Sequence, residues 1–141
     1  MNNWEAGMVI EGGCQCGAVR YEIAQPPERV SLCHCRDCQR SAGAPMVAWA
    51  MVATADFRVT AGAARAVNSS GDSFRYFCPT CGTGLYYINE THLPGIVDVQ
   101  LMTLDAPGAF TPGAQLQTAE QASWAAHLSD IPAFPRYPGM A

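Results

Sequence analysis

The stretch "GGCQCG", from Gly12 to Gly17, holds two cysteines one residue apart. A second pair lies far along the chain in "CPTCGTG", from Cys78 to Gly84. Close pairs place two thiolates near one point, as a zinc ion with Zn–S bonds of about 2.3 Å requires. The neighbouring glycines let backbone N–H groups turn towards sulfur. We therefore predict a closed structural zinc clamp that links distant segments. Its ligands are Cys14, Cys16, Cys78 and Cys81.

Three further cysteines lie in "SLCHCRDCQRSAG", from Ser31 to Gly43, one short of a closed tetrahedral site. A zinc ion with three protein ligands keeps a fourth position for water or substrate, which is typical of catalytic sites. The predicted ligands are Cys33, Cys35 and Cys38. Two alternatives stay open. His34 could close the site, although consecutive residues seldom point at one ion, or the cluster could be metal-free with reactive thiols.

Other uses of cysteine fit the pattern less well. The chain has seven cysteines, and an odd number argues against a purely disulfide framework. A C-x-x-C redox motif needs a βαβ context, which this sequence does not show. Metal binding is therefore the favoured interpretation, ahead of redox chemistry and of inert buried thiols.

Composition indicates a compact globular protein, with 49% hydrophobic and 14% charged residues in 141. We expect one domain over residues 1–141. The net charge of −4, without lysine, argues against nucleic acid as a partner. The first residues lack the charge and apolar run of a signal peptide, and "PMVAWAMVA" is too short to cross a membrane. We therefore expect no membrane partner and a cytoplasmic location, where thiols stay reduced.

Short alternating segments between glycine-rich turns predict a mainly β protein. In "GAVRYEI", from Gly17 to Ile23, apolar and charged residues alternate, as in a half-buried strand. Further strands are predicted at Val30–Cys33, Met46–Val52, Phe57–Thr60, Ala66–Ser69, Phe74–Phe77, Leu85–Ile88 and Val97–Met102. A helical turn is expected at Arg36–Ser41 and a second within Thr118–Leu128. The proline-broken tail, residues 129–141, should run extended along the surface, and exposed β-edges would allow a homodimer.

Three segments in this order and spacing, "GGCQCGAVRYE", "CHCRDCQRSAGAP" and "FCPTCGTGLYY", resemble the glutathione-dependent formaldehyde-activating enzyme family. The resemblance covers about residues 12–124. It implies the Mss4-like fold shared with the centromere protein V group, a β-tent of curled antiparallel sheets with one or two short helical turns. It also implies two zinc sites per chain, the structural clamp and a catalytic site at the three-cysteine cluster.

The same resemblance implies a carbon–sulfur lyase-like enzyme that forms or cleaves a thiol–aldehyde adduct such as S-hydroxymethylglutathione. Its partners would be glutathione or a similar thiol, and an aldehyde. A tripeptide with two carboxylates would need guanidinium groups. Arg36 and Arg40 lie closest to the cluster in sequence, with Gln39 and Ser41 as polar lining. The alternative for the arginines is a solvated helical face.

Four other side chains are weaker candidates for lining or capping the three-cysteine site. Trp49 and Phe57 could line it, although aromatic residues on strands more often belong to the core. Trp124 and His127 could cap it from the tail, although a surface or packing role is the alternative. Two non-enzymatic hypotheses remain: an Mss4-like zinc-stabilised partner-binding module without catalysis, and a chromatin role. The three-cysteine cluster counts against the first and the acidic charge against the second.

Overall fold

The computed structural model describes Glu5 and residues 7–140, and within this part of the chain ten strands form two sheets. The strands are β1 (Ile10–Gly13), β2 (Arg20–Ile23), β3 (Arg29–Cys33), β4 (Val47–Ala53), β5 (Phe57–Ala61), β6 (Arg65–Ser70), β7 (Ser73–Phe77), β8 (Gly84–Ile88), β9 (Ile96–Gln100) and β10 (Ala114–Leu116). One α-helix, α1, spans Arg36–Ala42. Short 3-10 turns lie at Thr54–Asp56, Leu101–Thr103, Pro107–Ala109, Thr118–Glu120 and Ser123–Asp130. The mainly β prediction is confirmed.

The smaller sheet has the strand order β1-β2-β5, with both pairs antiparallel. Gly12 of β1 lies opposite Tyr21 of β2, and a Cβ at Gly12 would lie only 2.4 Å from the Tyr21 hydroxyl oxygen. That hydroxyl lies 2.6 Å from the Thr103 Oγ1. The absence of a side chain at Gly12 therefore lets Tyr21 fill the space beneath β1.

The larger sheet has the order β10-β3-β4-β9-β8-β7-β6. Its pairs are antiparallel except β10 with β3, because the chain returns after β9 by a long connection and lies beside β3 in the same direction. One face of this sheet packs on the hydrophobic core, and the other face lines a cavity. In β9, for example, Val97 and Val99 are buried in the core while Asp98 points to the opposite face.

Both sheets contribute to one hydrophobic core. Phe57 of the smaller sheet meets Tyr86 of the larger sheet edge-on, with ring centroids 4.8 Å apart, and also packs 5.4 Å from Tyr21. Tyr86 in turn stacks on Tyr76 at 4.5 Å. Such pairs add about 0.5–1.5 kcal/mol beyond their buried area. Phe57 is thus a core residue, the alternative that the sequence left open for it.

The strand predictions are confirmed with small shifts at their ends, while β1 and β10 were not predicted. Helix α1 is confirmed and ends where Gly43 adopts φ 62° and donates to the Gln39 carbonyl. A second short helix was expected within Thr118–Leu128. The structure has two 3-10 turns there instead, and the second is interrupted by non-helical angles at His127.

The chain beyond these turns, residues 131–140, is exposed and irregular. Among the described residues no helix is long and apolar enough to span a membrane.

Candidate functional site

Four cysteine sulfur atoms meet where the two sheets come together. The sulfur atoms of Cys14, Cys16, Cys78 and Cys81 all lie within 4.8 Å of one another. The first two follow β1, and the other two lie in the turn between β7 and β8. The group therefore connects the smaller sheet to the larger one, as a structural clamp should.

The geometry of this group fits a zinc ion. For Zn–S bonds of about 2.3 Å, sulfur atoms at tetrahedral corners are about 3.8 Å apart. The Sγ atoms of Cys14 and Cys16 are 3.6 Å apart, and those of Cys16 and Cys78 are 3.8 Å apart. All seven cysteines of the chain are free thiols. These distances match the donor set that zinc requires.

Hydrogen-bond donors surround these sulfur atoms, as expected for thiolate ligands. The Val19 N–H lies 3.2 Å from the Cys14 Sγ, and the Cys81 N–H lies 3.5 Å from the Cys78 Sγ. The Thr83 hydroxyl, 3.1 Å away, helps to lower the pKa of Cys81 to about 5. The turn is closed by Gly82 with φ 81°, a conformation that L side chains rarely adopt.

The sulfur atoms of Cys33, Cys35 and Cys38 form the second group and also lie within 4.8 Å of one another. Cys33 ends β3, and Cys35 is the N-cap of α1, where its sulfur accepts the Cys38 N–H at 3.3 Å. Burial raises the pKa of Cys38 to about 12, so without a metal this thiol is protonated at neutral pH. A bound zinc ion would favour its thiolate form.

His34 does not complete this group. Its ring is fully buried and its Nε2 lies 2.8 Å from the Gln115 Oε1 on β10. The group of sulfur atoms that could hold a metal contains only Cys33, Cys35 and Cys38 among the described residues. The three-cysteine set therefore remains one protein ligand short of a closed tetrahedral site.

The three cysteines open on a cavity of about 420 Å³. Its walls come from the exposed face of the larger sheet, from α1 and from the segment after β10. Trp49, Met51 and Tyr87 supply apolar surface, and Cys38 belongs to one buried cluster with Val47 and Trp49. This volume falls within the range typical of small-molecule sites.

Two arginines line the cavity from opposite parts of the sheet, Arg29 on β3 and Arg75 on β7. The Arg75 Nη2 lies 3.8 Å from the Cys38 Sγ, and its guanidinium carbon lies 5.4 Å from the centre of the Tyr87 ring. Its Nε atom is buried and has no hydrogen-bond partner among the described residues. Arg75 therefore places a positive charge beside the Cys38 thiol and has a donor that no described residue uses.

A half-buried carboxyl group, Asp98 on β9, also lines the cavity. Its Oδ1 atom is buried and has no hydrogen-bond partner in the described part of the chain. Burial raises the pKa of Asp98 to about 7. Perturbed titratable groups in a cavity are typical of functional sites.

The residues that the sequence suggested for substrate binding lie elsewhere. Arg36 donates to the Gln39 Oε1 at 2.5 Å, and Gln39 donates to the carbonyls of His34 at 2.5 Å and Glu120 at 3.0 Å. Arg40 is exposed. None of Arg36, Gln39, Arg40 and Ser41 lines the 420 Å³ cavity. A substrate role for these four residues stays a prediction.

Ser41 lines a neighbouring space of about 280 Å³ that shares Trp49 and Arg75 with the larger cavity. Trp124 is 51% exposed, His127 is exposed, and neither lines the cavity. The surface role that the sequence left open for these two residues agrees with their positions.

Sequence reasoning missed Arg29, Arg75, Tyr87 and Asp98. The sequence did contain a signal for one of them, because every second residue of a β-strand points to the same face of the sheet. In "RVSLC" of β3, Arg29 and Ser31 alternate with apolar residues and share a face with Cys33. Pairing of the strands, which a single sequence does not reveal, then brings the polar faces of β3, β7, β8 and β9 together.

Comparison with known proteins agrees with this geometry. The family model described as "Glutathione-dependent formaldehyde-activating enzyme" matches residues 9–120. A Halomonas elongata protein named "Putative glutathione-dependent formaldehyde-activating enzyme" is 33% identical over 89 residues, covering 56% of this chain and 55% of that protein. An "Uncharacterized lyase" of Schizosaccharomyces pombe is 29% identical over 77 residues, covering 55% of this chain and 56% of that protein. The chain thus spans about half the length of these curated relatives.

A solved structure supports the fold alone. The crystal structure of a Rhodobacter sphaeroides protein superposes with a TM-score of 0.60 at 24% identity, covering 74% of this chain and 98% of the other. The family match includes both cysteine groups and every strand from β1 to β10. The chain therefore belongs to the glutathione-dependent formaldehyde-activating enzyme family.

Proposed function

We propose that the protein is a zinc-dependent carbon–sulfur lyase-like enzyme that forms or cleaves a thiol–aldehyde adduct such as S-hydroxymethylglutathione. One observation carries the proposal: a three-thiol group, short of a closed metal site, opens on a cavity of about 420 Å³ that contains two arginines. The family name supports glutathione and formaldehyde as the partners. A partner-binding module would have no need of this cavity.

We assign two zinc sites to each chain. Cys14, Cys16, Cys78 and Cys81 would hold the structural ion, because four thiolates leave no position for substrate. Cys33, Cys35 and Cys38 would hold the catalytic ion, which supplies Lewis acidity and favours thiolate over thiol. The free state of all seven cysteines agrees with a reducing, cytoplasmic location.

The protein's own groups would bind and orient the thiol. Arg29 and Arg75 offer guanidinium donors to carboxylates, and Arg75 also balances negative charge on Cys38. Trp49 and Tyr87, with ring centroids 6.1 Å apart, form an apolar wall beside the thiols. A thiol with two carboxylates would therefore find one arginine for each carboxylate in this cavity.

The test is the exchange between free glutathione and its formaldehyde adduct at equilibrium, followed by NMR exchange spectroscopy. The zinc-loaded protein should accelerate this exchange above the spontaneous rate without shifting the equilibrium. Cys33→Ser should lose the acceleration while its circular dichroism stays unchanged. A zinc-loaded protein that leaves the exchange rate at its spontaneous value would overturn the proposal and favour an Mss4-like binding role.

A further inference from the structure

A row of side chains crosses the cavity face of the larger sheet. Cross-strand pairing aligns Arg75 with Tyr87, Tyr87 with Asp98, Asp98 with Met51, and Met51 with Arg29. All five residues line the cavity. Asp98 is the central member, with an apolar side chain on each neighbouring strand and an arginine at each end of the row.

Asp98 combines a buried carboxyl oxygen without a hydrogen-bond partner among the described residues with the lack of an ion pair there. Asp105 and Glu22 each form an ion pair, with Arg20 and Arg58 respectively. Asp98 forms none with the described residues, although two arginines line the same cavity. A buried carboxyl oxygen without a hydrogen-bond partner is costly, so retaining one here needs a reason.

Tyr87 lies between Asp98 and the three-cysteine group, and all of them line the same cavity. The Tyr87 side chain packs against the group formed by Cys38, Val47 and Trp49, and Asp98 is its direct partner on the adjacent strand. Residues paired in this way have Cβ atoms about 5 Å apart. A thiol bound at the three cysteines would therefore share the cavity with the Asp98 carboxyl group, with the Tyr87 ring between them.

We propose that Asp98 is the acid–base residue of the cavity, carrying the proton between the thiol sulfur and the carbonyl oxygen during adduct formation and cleavage. This inference rests on the proposed function. It assigns a catalytic role to a residue outside both cysteine groups.

The proposed step balances without a further reactant. The Asp98 carboxylate accepts the proton of the thiol, and the sulfur lone pair forms a bond to the aldehyde carbon. The π electrons of the C=O bond move to oxygen, which then takes the proton back from the Asp98 carboxyl group. Cleavage of the adduct runs through the same steps in reverse, and no oxidant or reductant is consumed.

The electrostatics of the cavity agree with this role. Burial alone raises the pKa of Asp98 to about 7, near the value at which a group both accepts and donates protons well at neutral pH. The other titratable or charged groups lining the cavity are Arg29, Cys33, Cys35, Asp37, Cys38, Arg75 and Tyr87. An alternative use of Asp98 is to bind the ammonium group of an amino-acid thiol, and the experiment separates the two.

The experiment compares zinc-loaded wild-type protein with Asp98→Asn, which removes the ionisable group and keeps the shape. Asp130→Asn is the matched control, because Asp130 is exposed in the tail and outside the cavity. Exchange of glutathione with its formaldehyde adduct is measured at saturating thiol from about pH 5 to about pH 9. Glutathione affinity is measured separately by calorimetry, without aldehyde.

Asp98→Asn should slow the accelerated exchange by about 100-fold or more, flatten its pH profile, and leave glutathione affinity within about twofold. Asp130→Asn should match wild type. Unchanged exchange in Asp98→Asn would overturn the inference while the proposed function stands. Weaker glutathione binding with normal exchange at saturation would also overturn it and indicate ammonium binding. If wild type itself does not accelerate exchange, the proposed function fails and the inference with it.

Discussion

The Arg75 Nη2 atom lies 3.8 Å from the Cys38 Sγ atom, at the wall of the cavity. A zinc ion held by three thiolates carries one net negative charge, and Arg75 is placed to balance it. Its Nε atom is buried and has no hydrogen-bond partner among the described residues, so a ligand carboxylate could satisfy it. In the proposed site Arg75 would thus connect the three-cysteine group to the part of the cavity that binds the thiol's carboxylate.

Replacing Arg75 should weaken thiol binding. Arg75→Ala removes a charge-assisted donor, which is worth about 1.5–3 kcal/mol, so the Kd for glutathione should rise at least about tenfold. Calorimetry with the zinc-loaded protein measures this. Arg136→Ala, in the exposed tail, is the control and should bind as wild type does. A larger loss in Arg40→Ala than in Arg75→Ala would instead place the carboxylate site at α1.

The two cysteine groups should differ in what they stabilise. Cys78→Ser opens a clamp between the two sheets, so it should abolish folding or lower the melting temperature strongly. Cys33→Ser should keep the fold and lose one zinc ion together with the exchange activity. Thermal unfolding and elemental analysis of both variants check this. Equal unfolding of the two variants would contradict the division into structural and catalytic sites.

Asp98 should make the stability of the fold depend on pH. Its folded pKa, about 7, lies above the unfolded value of 3.8, so between these values the folded state keeps a proton that the unfolded state has lost. The free energy of unfolding should therefore fall as pH rises from about 4 to about 7, because the unfolded state releases the Asp98 proton more easily than the folded state does. Above pH 7, Asp98→Asn should be more stable than wild type by about 2–4 kcal/mol.

The measurement is the free energy of unfolding in urea at several pH values for wild type and Asp98→Asn. Only the difference between the two proteins matters, because other carboxyl groups titrate in both. Asp130→Asn should follow wild type at every pH. A difference between wild type and Asp98→Asn that does not change between about pH 4 and about pH 7 would show that Asp98 is ionised throughout.

Gly12 should tolerate no side chain. A Cβ there would lie 2.4 Å from the Tyr21 Oη and 2.6 Å from the backbone oxygen of Thr103. Gly12→Ala should therefore cost about 1–3 kcal/mol of the free energy of unfolding. Gly108→Ala is the matched control, because nothing lies within 4 Å of its added Cβ. Equal stability of the two variants would show that Tyr21 moves aside without cost.

Cysteine spacing and strand periodicity predicted most of the fold, because both are local features of the sequence. β10 was missed since Ala114–Leu116 is short and exposed, and its place beside β3 depends on a long-range pairing. The tail was expected to contain a helix, but its backbone follows 3-10 turns with a break at His127.

The residues that line the cavity were harder to predict from the sequence than the two cysteine groups. Cys33, Cys35 and Cys38 are close in sequence, so their spacing alone brings their sulfur atoms together. Arg29, Arg75 and Asp98 come from three distant strands, and only the strand order of the sheet places them on one wall. Proximity in sequence pointed instead to Arg36 and Arg40 on α1.

Zinc content tests the central claim most directly. Elemental analysis of freshly purified protein, kept reduced, should find about two zinc ions per chain in wild type and about one in Cys33→Ser. This result would establish that the three-cysteine group holds its own metal ion at the cavity. About one zinc ion per chain in both proteins would contradict the account, because the cavity would then contain thiols without a metal.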